Sequence, residues 1–164
     1  AGIYYDEANK QHYKYNTATG KLEKLDATQV SSNGNYIKRW KREEGITVKD
    51  TYDKNGQKIR KEYTNKDGTK HTISYKDDKI TTWTKKYTDG TSSEFSGYDE
   101  NEKSTKRVNK DKNGNIISVY TFENKANGHY KTQQVNKDGE PIGKTLYRDK
   151  HNNLIPKEEY EKAK

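Results

Sequence analysis

The chain has 164 residues, a formal net charge of +8 and a hydrophobic content of 26%, about half the apolar share of ordinary globular domains. Leu, Ile, Val and Phe together number 21, too few for a thick core, and the absence of Cys removes disulfides, thiol nucleophiles and thiolate metal sites. No apolar run approaches the roughly 18 residues of a membrane span, and no signal peptide is recognisable, so membrane insertion is not expected and the start without Met reads as that of a mature or excised chain.

So low an aliphatic share usually accompanies disorder. Fourteen Tyr and two Trp oppose that reading, and so does the regular spacing of turn residues. Residues 1–32 stand apart as an N-terminal hairpin and connector: Tyr4, Tyr5, Tyr13 and Tyr15 flank an Asp-Glu-Ala-Asn turn, with Leu22 and Leu25 on the outgoing strand. From Gly20 onward a turn signal recurs about every twelve residues, through Gly34, Gly45, Gly56, Gly68, Asp77-Asp78, Asp89-Gly90, Glu100-Asn101, Asn113-Gly114, Asn127-Gly128, Asp138-Gly139 and Asn152-Asn153. Asn-Gly and Asp-Gly supply the positive φ that hairpin turns need. Between them apolar residues alternate, as in Ile46, Val48 and Tyr52, then Ile59 and Tyr63, then His71, Ile73 and Tyr75, then Trp83 and Tyr87, the period of strands with one richer face. Residues 33–155 therefore read as a repeated hairpin meander. Asn115 to Phe122 carries apolar groups at both parities and predicts a strand covered on both sides. From Pro156, a Pro followed by acidic residues predicts a short helix or tail over 156–164.

Tyr52-Asp53-Lys54-Asn55-Gly56, Asn65-Lys66-Asp67-Gly68-Thr69 and Tyr75 resemble the Tyr-Asp (YD, or RHS-type) repeats of bacterial surface and toxin-delivery proteins, echoed at Tyr98-Asp99 and Tyr147-Arg148-Asp149. The Lys/Glu/Thr-rich strands with Lys-Asp-Gly turns are also similar to the single-layer sheet of spirochaete outer-surface lipoproteins. Both resemblances imply an extracellular β-scaffold, and neither implies catalysis.

Catalytic constellations do not stand out. His12, His71, His129 and His151 lie far apart, without His-x-x-x-His or Glu-x-x-His pairing, so a metal or acid–base site would need convergence across strands. The run from Asn109 to Ile116 resembles the opening of an EF-hand loop, but Tyr120 stands where the closing Glu belongs. Neither a metal nor a cofactor is called for. Basic residues interleave with aromatics at Lys38, Arg39, Trp40 and Arg42 and at Trp83, Lys85, Lys86 and Tyr87, the composition of a surface that attracts polyanions and offers stacking platforms. Lys outnumbers Arg 28 to 5, which disfavours sequence-specific reading of nucleic acid. The plain alternative is that the charges keep a flat sheet soluble and its edges unpaired, with each Trp filling its own hairpin's core.

The sequence thus predicts an all-β antiparallel meander of about ten to twelve short strands joined by tight turns, an elongated or curled sheet, with a short C-terminal helix. The function expected is that of a non-catalytic secreted or surface-exposed bacterial binding or adhesion module. Abundant Lys, Asn, Ile and Tyr suggest a Gram-positive source, and the partner would be a protein or an anionic cell-wall or host glycan. The alternatives are a secreted inhibitor or immunity-type protein acting through an edge strand, and a structural spacer.

Overall fold

In the computed structural model, which describes residues 3–27, 29–43 and 45–164, the chain forms two compact units, one ending at Lys79 and one beginning at Ile80. In the first, β1 (Ile3–Asp6), β2 (Gln11–Asn16) and β3 (Lys21–Leu25) make a three-stranded sheet, and β4 (Gln29–Val30), β5 (Tyr36–Glu43), β6 (Ile46–Tyr52), β7 (Lys58–Thr64) and β8 (Lys70–Lys76) pair in order. The second contains β9 (Lys79–Lys86), β10 (Ser92–Ser96), β11 (Lys106–Lys110), β12 (Ile116–Asn124), β13 (Tyr130–Val135), β14 (Pro141–Arg148) and the helix α1 (Lys157–Lys162). Within each sheet, strands consecutive in sequence are neighbours and the pairings are antiparallel, while β3 and β4 belong to different sheets. The fourteen strands lie in antiparallel sheets that are not closed. The two residues of β4, which lie within the expected N-terminal connector, pair with β5.

One five-residue turn accounts for most of the connections. In nine turns among the described residues, beginning at Ser31, Asp53, Asn65, Tyr87, Asp99, Asp111, Lys125, Asn136 and Asp149, the first N–H donates to the fifth C=O and the fourth N–H to the first C=O. This is the bonding of a type I turn closed by a left-handed residue. The fourth residue has positive φ in each, and is Gly except at Glu102 (φ 59) and Asn152 (φ 68). The fifth residue's N–H finds a side-chain acceptor by one of two routes. Asp53, Asp99, Asp111, Asn136 and Asp149 accept it from the first position, whereas Asn33, Asp67, Asp89 and Asn127 accept it from the third. A short Asx side chain at either place suffices, which is why the turn motif tolerates Ser31, Tyr87 or Lys125 in first place. Successive turns at one end of the sheet also abut. A Cβ on Gly128 would lie 2.6 Å from that of Lys150.

These turns set the register, and the register sorts the side chains. In the first unit Tyr36, Lys38, Trp40, Val48, Asp50, Tyr52, Lys61, Tyr63, His71 and Ile73 fall on one face. The other carries in-register rows of polar groups, Arg39–Lys49–Glu62–Thr72 and Thr51–Arg60–Ser74. In the second unit one face holds the row Trp83–Phe95–Arg107–Tyr120–Gln134, and the other the row Thr84–Glu94–Val108–Val119–Val135. Buried apolar side chains are scattered along both units: Leu25, Tyr36, Ile46, Val48, Ile73, Val119, Val135 and Tyr160. The expected double cover of β12 is not present. Ile116 and Ile117 are 59% and 61% exposed, and only Val119 of that strand is buried, because alternation in an uncovered sheet end leaves residues of both parities in water. The C-terminal helix does form. Its Tyr160 packs on the ring of Tyr147 and donates its hydroxyl to the carbonyl of Glu123 at 3.1 Å.

The turns generate two predictions. Gly128→Ala combines a φ of +94° with a close approach and should cost about 2–3 kcal/mol, whereas Gly114→Ala, with a φ of +85° but open space around it, should cost about 1 kcal/mol, and Glu102→Gly should stabilise by a fraction of that; urea melts measure all three. Thermal stability should also fall in acid. Backbone N–H donors hold the carboxyls of Asp67, Asp111 and Asp149 below their ordinary value, and the Thr91 hydroxyl, then its N–H, does so for Asp89. A carboxyl depressed in the folded state stabilises above its unfolded value near 3.8 and loses that contribution as pH falls through the folded one. Asp111→Asn should flatten its share of the acid loss while keeping the turn, since Asn136 fills the same place.

Candidate functional site

Both basic aromatic clusters form on the richer faces of their sheets, but each loses one member to the opposite side. In the first, Lys38, Trp40 and Arg42 project from one face of β5, while Arg39 stands on the other opposite Lys49. In the second, Trp83 and Lys85 share a face with Phe95 and Ser93, while Lys86 pairs with Ser92 on the reverse. Strand alternation separates residues adjacent in sequence, so a contiguous basic run cannot remain one patch.

The first cluster is organised around Asp50, which is 4% exposed. Trp40 Nε1 donates to its Oδ2 at 2.6 Å. Lys38 and Lys61 flank it in register on β5 and β7, and each ammonium lies over a ring, Lys38 over Tyr52 at 5.3 Å and Lys61 over Trp40 at 5.7 Å. Arg42 covers Tyr63 and Lys58 covers Tyr75 in the same manner. Tyr36 stacks on Tyr52 with centroids 5.2 Å apart, and Tyr63 on His71 at 4.6 Å. Burial first, and the Asp50 charge second, push the phenols of Tyr52 and Tyr75 upward, so both stay neutral well above physiological pH. Trp40 is 42% exposed. It is neither a core plug nor a bare stacking platform, since its indole N–H is committed to Asp50 and a cation lies over the ring.

In the second cluster Lys85 lies over Phe95 at 5.2 Å and near Trp83 at 5.9 Å, and Arg107 covers Phe95 from the next strand at 5.3 Å. Beneath them Ser93 is fully buried and its hydroxyl is a junction. It donates to Asn109 Oδ1 at 2.7 Å and receives Arg107 Nη2 at 3.2 Å and the Tyr87 hydroxyl at 3.3 Å. Asn109 passes the network to Ser118. Tyr87 thus serves the polar network that holds Arg107 in place.

The histidines take separate partners. His12 packs on Tyr5, Asn65 Nδ2 lies 2.9 Å from His71 Nε2, and Asn127 Nδ2 lies 3.2 Å from His129 Nδ1. In the EF-hand-like run, Asp111 Oδ1 accepts the N–H groups of Asn113 and Asn115, so the oxygen that would face an ion holds the turn instead.

A third region joins residues that the sequence did not bring together. A depression of about 280 Å³ in the second unit is lined by Phe95, Phe122 and Tyr130 together with Lys103, Lys125, Lys150, Ser104, Asn124 and Asn152. Its signal in the sequence is the nine-residue connection from Gly97 to Thr105, which inserts residues on both sides of the usual five-residue turn. Compared with known proteins, the chain matches no family model and no curated sequence.

Removing the indole donor with Trp40→Phe should leave Asp50 without its charge-assisted bond, since its Oδ1 has no other donor within reach. The expected cost is about 1–3 kcal/mol. Denaturant melts of the variant against the parent chain measure it.

Proposed function

We propose that this chain is a non-catalytic binding and adhesion module, secreted or displayed on a bacterial surface, whose sheet faces capture anionic polymers of a cell wall or host matrix. The observation that carries the reading is the arrangement of cations over rings. Lys38, Arg42, Lys58, Lys61, Lys85 and Arg107 each lie 5.2–5.9 Å from an aromatic centroid. The rings are therefore spent on orienting the chain's own cations, and what the faces offer outward is ordered positive charge. Such a surface attracts polyanions through counterion release and point charges, with little demand on polymer sequence. The excess of Lys over Arg fits the same diffuse mode.

The edge-strand alternative has less support. β14 is paired only with β13 along its length, yet it carries Pro141, Lys144 and a left-handed Gly143 at φ 74, and a bridge from Arg148 to Leu154 covers its end. Those are the devices by which edges resist added strands.

Retention on immobilised sulfated glycan and on wall teichoic polymer, measured over a salt series, tests the reading. Binding should weaken steeply with salt on both matrices. Lys38→Gln, Lys61→Gln and Lys85→Gln should each lower the log–log salt slope by up to roughly one. Salt-insensitive capture, or retention unchanged in the triple variant, would sink it, as would a reproducible turnover lost with a single carboxylate or histidine.

A further inference from the structure

We infer that the depression between the 97–105 connection and the turns at 125–129 and 149–153 is a preformed binding site for one acidic sugar ring, a six-membered ring bearing hydroxyls and a carboxylate. This site lies on the same face of the second unit as the Lys85 and Arg107 cluster and shares Phe95 with it, but its other lining groups belong to neither basic cluster and it does not depend on polymer capture.

Its lining combines aromatic and polar side chains. Phe122 and Tyr130 meet edge to face with centroids 6.0 Å apart, and Phe95 completes the apolar wall. The connection closes tightly at its ends, where the Thr105 hydroxyl sits against Gly97 and donates to its carbonyl at 2.6 Å. The lining also holds Ser104, Asn124 and Asn152, side chains of the kind that hydrogen-bond ring hydroxyls. The volume, about 280 Å³, is at the small end of ligand pockets and suits a single ring.

The walls are pinned before any ligand arrives. Asn124 Nδ2 donates to Asp99 Oδ2 and to the Ser104 carbonyl, both at 3.0 Å, which fixes the long connection. The Tyr130 hydroxyl donates to Asn152 Oδ1 at 2.7 Å, and Arg148 holds the Asn152 carbonyl at 2.8 Å, which fixes the far turn. A site built this way loses little freedom on binding.

The charge is on the rim. Lys125 contributes its stem, since its ammonium lies over Tyr160 at 4.6 Å. Lys103 and Lys150 are exposed beside the opening, and neither forms an ion pair among the described residues. Two exposed ammonium groups with no guanidinium fork suit a single carboxylate better than a phosphate chain.

The test is an NMR titration of the full chain with glucuronate, with glucose and with inorganic phosphate. The expected result is saturable shifts of the Phe95, Phe122 and Tyr130 ring protons with glucuronate alone. Lys103→Gln and Lys150→Gln should each weaken that binding about tenfold, the loss of one charge-assisted contact, with unaltered melting, while Lys137→Gln, at an exposed turn outside the depression, should leave it unchanged. Equal response to glucose would overturn the acidic half of the assignment, and equal response to phosphate would reduce the site to an anion contact and overturn the sugar. Absence of saturation, or binding that survives the double Lys variant, overturns it altogether. Salt-dependent retention on polymers is read separately, so either result can fail without the other.

Discussion

The five-residue turn with a left-handed fourth residue is the constraint on which the rest of the molecule depends. It is local: two backbone hydrogen bonds, one Asx acceptor and one residue at positive φ close it without help from a core. Strands of five to nine residues between such turns have little choice of register, and register decides which side chains share a face. The aromatic faces, the polar rows of Arg39–Lys49–Glu62–Thr72 and the junction at Ser93 are all consequences of where the turns fall. Where the connection lengthens, at 97–105, the regular ladder opens into a depression instead of another flat row.

A sheet with so few aliphatic groups needs another way to keep water off its rings. The chain uses its own basic residues. Lys and Arg stems lie across the aromatic faces while the charged ends remain in water, a mode of cover that shields apolar area and adds a cation–π attraction of roughly 0.5–1 kcal/mol per exposed pair. Asp50 is the electrostatic counterpart, a buried carboxylate flanked in register by Lys38 and Lys61 and bonded by Trp40. Stability and surface charge are in this way the same set of residues. Under the proposed polyanion capture, a polymer would meet cations whose positions are already set by the rings below them, and binding and folding would draw on one set of interactions.

Legibility in the sequence follows the same division between local and non-local. Asn-Gly and Asp-Gly pairs announce their turns because positive φ is a property of single residues, and so the antiparallel meander, its strand spacing and the helix after Pro156 are readable in one dimension. The members of the two basic clusters are readable too, but not their sides. Arg39 and Lys86 adjoin their clusters in sequence and face away from them in the sheet. Nor could apolar content alone indicate cover: the run around Ile116 and Ile117 reads as a buried strand and stands in water, because no second layer packs on it and the sequence of a strand does not encode what lies above it.

What residue types and spacing settle here is every feature that one turn or one alternating strand can enforce: an all-β chain, its hairpins, its thin core and its basic surface. Tertiary structure alone decided that Trp40 bonds Asp50, that Ser93 and Arg107 meet under Phe95, and that Phe95, Phe122, Tyr130, Lys103 and Lys150 line one hollow. Those groups lie from eight to several tens of residues apart, and they meet only because pairing across strands converts sequence distance into adjacency, which no local pattern records.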